Sequence, residues 1–532
     1  MASSEDFRGT TRRRTLAGMG MSAFGAAFGR TMSAGARTTD FRGEPGLSGG
    51  RSGTKILVLG GGLAGMLSAF ELRKAGYQVR ILEFQNRPGG RNISLRGGDT
   101  LHELGGATQN VSFAAGNYFN PGPWRIPYHH QGILHYCRAF GVQLEPFVQF
   151  NQNAWLHSSK AFGGRPVRYR EYASDFYGYT AETLAKAADL RTEGLFDTDP
   201  ERSQFRAAMT EWGGLTPSGE YVKGERSSFR RGFARPQGGG PDGAPVPSAP
   251  YTRSEILDAQ LWKNIAFFND LEMQETLFQP VGGMDQIGRA FYRRTGDLMM
   301  LNAMVKAVHQ GEKGVTVIYE DMSHPGNIQS VDADYCVCTI PLSILSQLDI
   351  QVSAPMRAAI SAVPYLSSVK IGLEFRRRFW EEDDQIYGGI TFTDQPITQI
   401  SYPAGGFLSP GPAVLLGGYM FDEPAAYDFA GMTPAERIEN ALVQGERIHT
   451  GYRKEYRGGV AVAWSRMPWT LGCCALWSQE ARAAHYRTLC GIDNRIILAG
   501  EHVSWFCGWQ EGAILSAADA VTRLHRRILQ SG

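Results

Sequence analysis

The first clear pattern of apolar and polar positions begins near residue 55. Lys55–Leu59 is a short run of branched apolar residues, as expected for a parallel strand buried on both faces. Leu63–Ala75 has helical spacing, and Gly76 follows at the position where helices often end. Gln78–Glu83 is predicted to be the next strand. Together these segments predict a β-α-β unit at the start of the folded chain.

The pattern changes character further along the chain. Residues from about 145 to 275 are helical and aromatic, whereas 232–250 are rich in Gly and Pro and predict a mobile surface loop. Helical spacing returns at Thr252–Glu275. Strands are predicted at Met299–Val308, Val315–Tyr319, Tyr335–Thr339, Lys370–Arg376, Ile386–Thr393, Gln399–Tyr402, Val414–Tyr419 and Arg495–Ala499. Helices are predicted at Thr433–Gln444, Gln479–Leu489 and Ala513–Arg527.

Composition limits the class of protein. A chain of 532 residues is long enough for about two to four domains. A formal charge of +2 gives no field that would favour nucleic acid or an anionic membrane, so neither is an expected partner. The seven cysteines contain no C-x-x-C pair, which indicates free thiols and no zinc site or other metal site. No run beyond the N-terminus is long and apolar enough to span a membrane.

The first 36 residues have the composition of a targeting segment. Thr11–Leu16 resembles a twin-arginine signal, Leu16–Phe28 is apolar, and Ala34-Gly-Ala36 offers a small-residue cleavage site. The expectation is export of a folded, cofactor-loaded protein to the periplasm or medium. The alternative is a disordered basic tail on a cytoplasmic protein. Residues 37–53, rich in Gly, Ser, Thr and Arg, are predicted to be a linker.

A glycine-rich turn joins the first predicted strand to the first predicted helix. Gly60 permits the tight turn, Gly62 lets a pyrophosphate approach the backbone, and Gly65 lets the helix pack on the strand. The helix N-terminus supplies free N–H groups and partial positive charge. Glu83, at the end of the second strand, can bind the adenosine ribose hydroxyls and would repel the 2′-phosphate of NADP.

A second basic and glycine-rich segment changes the expected dinucleotide from NAD to FAD. Arg87-Pro-Gly89-Gly90-Arg91 places cations and paired glycines directly after the second strand, where they can neutralise a pyrophosphate. Near the C-terminus, Ile496–Glu501 and Gly508–Gly512 can close over the far end of the same molecule. A NAD-dependent dehydrogenase needs no such element, although it stays an alternative.

At this point the chain resembles the flavin amine oxidases, and within that family the L-amino-acid oxidases of the bacterial type. The resemblance runs from about residue 53 to the C-terminus. The matching segments are Leu104-Gly-Gly-Ala107, Val281-Gly-Gly-Met-Asp285, Leu301-Asn-Ala-Met-Val305, Ala499-Gly-Glu501 and Gly508-Trp509. A helix N-terminus beside the pyrimidine edge of the flavin would stabilise the anion formed on reduction.

The resemblance implies an α/β fold with a two-part glutathione-reductase-like FAD-binding Rossmann domain, a discontinuous mixed-sheet substrate domain and a helical insertion. The expected ranges are 54–110, 276–345 and 485–532 for the FAD domain, 111–165 and 346–484 for the substrate domain, and 166–275 for the insertion. The implied FAD contacts are Gly60, Gly62, Leu63, Ala64, Gly65, Glu83, Gly90, Arg91, Gly106, Ala107, Val305, Gly500, Glu501, Gly508, Trp509, Gln510 and Ala513.

Four residues are expected to act on the substrate. Arg125 stands in the stiff loop Asn120–Pro127, and its planar guanidinium matches a substrate carboxylate, as a similar arginine does in L-amino-acid oxidases. By resemblance, Tyr402 also reaches the carboxylate and Lys370 holds a water near flavin N5. Trp509 would form a wall beside the substrate Cα.

These features predict an oxidase that takes a hydride from the Cα of an L-amino acid. Its products would be a 2-oxo acid, ammonium and hydrogen peroxide, with O2 as the electron acceptor. An amino-acid 2-monooxygenase would use the same carboxylate clamp and stays an alternative. A monoamine or polyamine oxidase is a further alternative, disfavoured because its substrates carry no carboxylate for Arg125 to bind. A flavin-binding subunit that only passes electrons to a partner is a further alternative. The sequence leaves the preferred amino acid open, as it does the choice between monomer and homodimer.

Overall fold

The computed structural model describes residues 41–190, 194–421 and 424–531. The predicted signal segment and the first four residues of the predicted linker lie outside these ranges. The described part of the linker packs on the folded protein, because the ring of Phe41 contacts Tyr136 and Leu47 joins the same apolar cluster. Within the described ranges, no helix combines the length and the apolar character needed to cross a membrane.

A six-stranded sheet forms the centre of the nucleotide-binding half of the fold. Four of its five strand pairs are parallel, and only the edge pair that ends the sheet is antiparallel. The strands come from three separate regions of the chain, all within the ranges expected for the discontinuous first domain. In spatial order they are Met299–Met300, Gln78–Leu82, Lys55–Leu59, Tyr335–Cys338, Ile496–Leu498 and Ile492–Asp493.

The two faces of this sheet are covered by different layers. Successive strand residues point to opposite faces, so Val58 joins an apolar cluster with helices and Leu57 joins a second cluster behind the sheet. The first layer contains the helices Leu63–Lys74, Gln131–Ala139, Asp285–Thr295 and Gln510–Gln530. The second contains the four-stranded sheet Ile328–Ala333, Val315–Asp321, Ala303–Gln310 and Asp349–Ile350, with the helices Leu342–Leu345, Ala354–Ser361 and Gln479–Cys490.

The predicted strand Met299–Val308 is divided in the structure. Asn302 has a positive φ of 58°, which turns the chain between Met299–Met300 and Ala303–Gln310. The two pieces therefore join different sheets: Met299–Met300 pairs in parallel with Gln78–Leu82, and Ala303–Gln310 pairs antiparallel with Val315–Asp321. Apolar spacing alone does not reveal such a break, because Asn tolerates this left-handed conformation without interrupting the pattern.

A seven-stranded mixed sheet forms the other half of the fold. The strand Ser368–Phe375, next to one edge of the sheet, is buried at every position. In spatial order the strands are Val167–Arg168, Trp155–His157, Ile390–Thr393, Gln399–Ser401, Ala413–Phe421, Ser368–Phe375 and Tyr456–Ala463. The accompanying helices are Phe379–Glu382, Pro424–Gly431, Pro434–Gly445 and Tyr452–Glu455.

The segment between the two halves is helical, as predicted, but two of its details differ. The predicted loop 232–250 begins and ends in a short antiparallel ribbon, Phe233–Arg235 with Val246–Pro247, so the loop prediction was wrong there. The helix pattern of Thr252–Glu275 breaks at Gln260, whose φ of 53° ends the first helix. The helices are Tyr169–Asp189, Asp199–Gly213, Glu225–Arg231, Arg253–Ala259 and Trp262–Ala266, followed by the turns Phe267–Asn269 and Leu271–Met273.

Small sheets connect these parts. A three-stranded sheet, with Leu277–Pro280 between Ile126–Pro127 and Leu144–Pro146, anchors the C-terminal end of the Arg125 loop. Two further strand pairs, Leu95–Arg96 with Tyr118–Phe119 and Thr100–His102 with Thr108–Asn110, carry the chain between the halves. The loop with Arg125 is thus held by strands distant in sequence.

Replacement of Gly65 by alanine should destabilise the protein by about 3 kcal/mol. A Cβ atom there would lie 1.9 Å from the Gly60 carbonyl oxygen, so the helix would have to move off the strand. Thermal unfolding of flavin-free protein measures the effect. Gly62→Ala is the matched control, since a Cβ at Gly62 meets no heavy atom within 4 Å. Equal melting temperatures for the two variants would contradict the packing role of Gly65.

Candidate active site

The glycine-rich turn borders open space at Gly62, and this space forms a groove. A Cβ on Gly65 would collide with Gly60, whereas the space beyond Gly62 is open. Leu63 and Ala64 follow as the first residues of the helix and are buried beneath the groove. No side chain caps this helix, so its first N–H groups point toward the open space. Such an arrangement suits a pyrophosphate.

Glu83 lies at the end of the second strand beside this groove. Its carboxylate accepts hydrogen bonds from the backbone N–H groups of Gly61 and Gln85. Burial raises the pKa of Glu83, while those two backbone donors oppose the rise. The Ala303 N–H donates to the Glu83 carbonyl oxygen at 2.8 Å, which brings the strand with Val305 beside Glu83; its pairing shifts register between Val305 and Ala307.

Arg91 and Glu501 join the first and last segments of the chain. Arg91 Nη1 lies 2.8 Å from Glu501 Oε1 and also donates to the carbonyl oxygen of Cys473. The Glu501 carboxylate accepts a further bond from the Gly508 N–H at 3.2 Å. Gly90 precedes this pair with a φ of 57°, and a Cβ there would lie 3.4 Å from the Gly62 Cα. The two predicted cofactor segments therefore meet.

The C-terminal helix begins directly at this junction. Its N-cap residue is Trp509, and no side chain caps the free N–H groups. Gln510 accepts a hydrogen bond from Asn92 Nδ2 at 2.8 Å, which ties the helix start to the first segment. Gly500 is buried and Ala513 is half-buried on the first helical turn. The predicted helix start at Ala513 was three residues late.

The loop with Gly106 and Ala107 is held in place by contacts of Glu103 and Leu104, the residues just before it. The buried Glu103 carboxylate pairs with Arg437, which is also fully buried. The Leu104 N–H donates to the Arg466 carbonyl oxygen at 2.8 Å. Gly106 is exposed and Ala107 half-buried, so a flat ring can approach this loop from the open side.

Arg125 is buried with most of its guanidinium unpartnered. The residue is 8% exposed, and its Nε and Nη1 atoms have no hydrogen-bond partner among the described residues. The guanidinium carbon lies 4.9 Å from the Trp124 ring centre and 5.9 Å from those of Phe267 and Trp509. Burial lowers the pKa of Arg125 to about 10. The surroundings favour a ligand that carries negative charge.

Lys370 and Tyr419 lie on the same side as Arg125. They stand opposite each other on adjacent antiparallel strands, and Lys370 Nζ is 4.4 Å from the Tyr419 ring centre. The Lys370 ammonium donates to the Gly122 carbonyl oxygen at 2.7 Å, which connects it to the Arg125 loop. The pKa of Lys370 is lowered to about 7, mainly by burial; Cys473 opposes the fall and the charge of Arg125 contributes to it. Burial also raises the pKa of Tyr419.

Tyr402 has different surroundings from those expected. Its hydroxyl hydrogen-bonds to Thr391 Oγ1 and His449 Nε2, each at 2.7 Å, and the residue is 1% exposed. None of these partners contacts Arg125. The structure thus groups Tyr419, not Tyr402, with Arg125 and Lys370, and the prediction for Tyr402 needs correction. The resemblance fixed the residue type, but strand pairing decides which tyrosine shares a face with Lys370.

The structure also brings two residues to Arg125 that the sequence did not single out. Phe267 and Met273 come from the two turns at the end of the helical insertion. Met273 Sδ lies 2.8 Å from Arg125 Nη2. Their only sequence signal was the aromatic character of the 145–275 region, because contacts made by turns leave no periodic pattern.

Comparison with known proteins agrees with this arrangement. The family described as flavin containing amine oxidoreductase matches residues 63–525. The chain belongs to this family. A flavin is therefore its cofactor, and the open space at Gly62 together with the uncapped helix termini fits such a group.

Curated relatives within this flavin family are named L-amino-acid oxidases. The candidate L-amino-acid oxidase YobN of Bacillus subtilis is 28% identical, over 90% of this chain and 96% of the relative. The L-amino-acid oxidase of the fish Siganus canaliculatus is 27% identical, over 89% and 86%. Bordonein-L of the rattlesnake Crotalus durissus terrificus is 26% identical, over 88% and 87%.

Solved structures share the fold at lower identity. Cyclohexylamine oxidase from Brevibacterium oxydans aligns with a TM-score of 0.58 at 15% identity, covering 90% of this chain and 99% of that one. Putrescine oxidase bound to putrescine aligns with a TM-score of 0.56 at 16% identity, with the same coverage. The predicted fold class, a two-part nucleotide-binding domain with a mixed-sheet domain and a helical insertion, is confirmed.

Proposed function

We propose that this family member is an FAD-dependent L-amino-acid oxidase that forms a 2-oxo acid, ammonium and hydrogen peroxide. The observation that carries the proposal is the buried guanidinium of Arg125, whose Nε and Nη1 atoms have no partner among the described residues. A cation in apolar surroundings is costly unless an anion joins it. The carboxylate that every amino acid carries is such an anion, and a bidentate fit suits it.

FAD is the proposed form of the flavin. The proposal is supported by Glu83, which would bind ribose hydroxyls, and by the open space at Gly62, which would accept a pyrophosphate. FMN contains neither an adenosine ribose nor a pyrophosphate, so these features would have no ligand if FMN were bound. The Arg91–Glu501 pair would then lie where the two halves of the dinucleotide meet.

Substrate orientation is the main task of the protein's own residues. Arg125 would hold the carboxylate and Tyr419 would add a hydroxyl hydrogen bond, which together fix the direction of the Cα–H bond. Trp124 and Trp509 flank the guanidinium and keep water from it. A bound flavin would supply the hydride acceptor and would pass the electrons on to O2. Water then hydrolyses the released imino acid.

Lys370 is proposed to act in the oxygen step. Its ammonium is fixed by the Gly122 carbonyl oxygen, and its lowered pKa lets it change charge near neutral pH. A positive charge at this place would stabilise the negative charge that develops when O2 is reduced.

Two related activities are the nearest alternatives. An amino-acid 2-monooxygenase would use the same carboxylate clamp and release an amide with carbon dioxide. Oxidation of simple amines suits the names of the two structural neighbours, yet it would leave the Arg125 charge unpaired. A screen of L- and D-amino acids and simple amines for peroxide release, with product identification, separates the three. Amide formation, or activity on amines alone, would reject the proposal.

Export through the twin-arginine pathway is proposed on the N-terminal sequence alone.

Arg125→Met should raise the KM for amino acids about 10- to 100-fold, because a charge-assisted hydrogen bond worth ~1.5–3 kcal/mol is lost. Steady-state peroxide release measures KM, and flavin absorbance shows that the cofactor is retained. Arg376→Met is a matched control, because Arg376 lies at the far end of the same domain and donates to the Lys454 carbonyl oxygen. An unchanged KM in Arg125→Met would reject the clamp.

Tyr419→Phe should raise KM about fivefold through the loss of one hydrogen bond to the carboxylate. Tyr402→Phe should leave KM unchanged and lower the melting temperature instead, because it breaks the buried contacts with Thr391 and His449. Kinetics and thermal unfolding of both variants give the comparison. The reverse pattern would restore Tyr402 to the clamp.

Lys370→Met should slow reoxidation of the flavin by O2 more than its anaerobic reduction by substrate. In the wild type, Lys370 is charged below a pKa of about 7, so reoxidation should slow as pH rises through that value. The variant should lack this dependence. Stopped-flow measurement of both half-reactions from pH 6 to 9 tests it, and equal losses in both would contradict the assignment.

A further inference from the structure

Met273 occupies part of the place where the substrate carboxylate is proposed to bind. Its Sδ atom lies 2.8 Å from Arg125 Nη2, and it is the only hydrogen-bond partner that the described residues give this guanidinium. The backbone of Met273 is fixed as well, because Gln149 Nε2 donates to its carbonyl oxygen at 2.9 Å. The main chain of the turn Leu271–Met273 therefore keeps the flexible side chain within reach of the arginine.

This position makes the sulfur a competitor of the carboxylate. A carboxylate binds a guanidinium either through Nε and Nη2 or through Nη1 and Nη2, and both arrangements use Nη2. A thioether is only a weak acceptor, so a charged carboxylate displaces it easily. A stronger acceptor on the same side chain would be harder to displace.

We propose that Met273 is a modification site, at which hydrogen peroxide formed in the pocket oxidises the thioether to a sulfoxide that holds Arg125 and weakens substrate binding. The inference rests on the proposed function, which supplies the peroxide. The sulfur gives an electron pair to one peroxide oxygen and the O–O bond breaks. The products are the sulfoxide and water, and no other reactant is needed.

The structure supports both parts of this step. Met273 is half-buried, so its side chain is not closed off from small molecules such as peroxide. The sulfoxide oxygen is a polar acceptor on a side chain already directed at Nη2. The peroxide product would thus inhibit the enzyme, and a methionine sulfoxide reductase would reverse this inhibition by reducing Met273.

The first experiment uses reagent peroxide on the flavin-loaded enzyme. Benzoate, a simple carboxylate, is titrated by calorimetry before and after oxidation, and peptide mass spectrometry quantifies the sulfoxide at Met273. Oxidation should weaken benzoate binding about three- to tenfold, the worth of one neutral hydrogen bond. Met322, which is 38% exposed and lies elsewhere on the surface, reports general oxidation.

Met273→Leu supplies the matched control, because leucine has a similar volume and cannot form a sulfoxide. Its benzoate affinity before peroxide is its own reference, and its melting temperature shows whether it folds. That affinity should not change on oxidation. The proposal is overturned if both proteins lose affinity equally, or if Met273 is oxidised in the wild type without any loss.

The second experiment uses turnover with the best amino acid from the screen. Met273 should be oxidised faster than Met322, KM should rise while kcat stays constant, and a methionine sulfoxide reductase should restore KM. Oxidation of Met322 ahead of Met273 would overturn the proposal. If reagent peroxide weakens benzoate binding while no amino acid releases peroxide, the proposed function fails and the peroxide-sensitive contact is supported.

Discussion

A buried positive charge without a fixed counter-charge governs this site. Arg125 is enclosed by Trp124, Phe267 and Trp509, and no ion pair is recorded for it among the described residues. Folding must offset the cost of removing this guanidinium from water, and a bound carboxylate returns part of that energy to substrate binding. Under the proposed function, the preference for substrates that carry a carboxylate would therefore follow from the cost of burying this charge.

The same charge influences its neighbours. Lys370 titrates near neutral pH because burial and Arg125 both disfavour its ammonium form. The strand pairing that puts Tyr419 opposite Lys370 also aims both side chains at the Arg125 loop. Lys370 donates to the Gly122 carbonyl oxygen, and the Tyr419 ring contacts that of Trp124. The sheet thus fixes Lys370 and Tyr419, and the hydrogen bond to Gly122 ties Lys370 to the separate loop that carries Arg125. Substrate orientation demands this precision.

The proposed flavin site is built from the first and last segments of the folded chain. The first segment brings Gly62 and Arg91, the last brings Glu501 and Trp509, and the 2.8 Å contact between Arg91 and Glu501 joins them. Uncapped helix N-termini face the cofactor space from both sides. Loss of either segment would leave Arg91 or Glu501 without its ion-pair partner.

The sequence by itself determined the β-α-β unit, the glycine turn, the family and Arg125, because each depends on residues close together along the chain. Local sterics fix the roles of Gly60 and Gly65. The planar guanidinium of Arg125, in a loop stiffened by prolines, predicts a carboxylate as its ligand. Only the tertiary structure decided between Tyr402 and Tyr419 and brought Met273 to the arginine. Register between distant strands and the path of irregular turns depend on the packing of the whole molecule, and no local pattern records them.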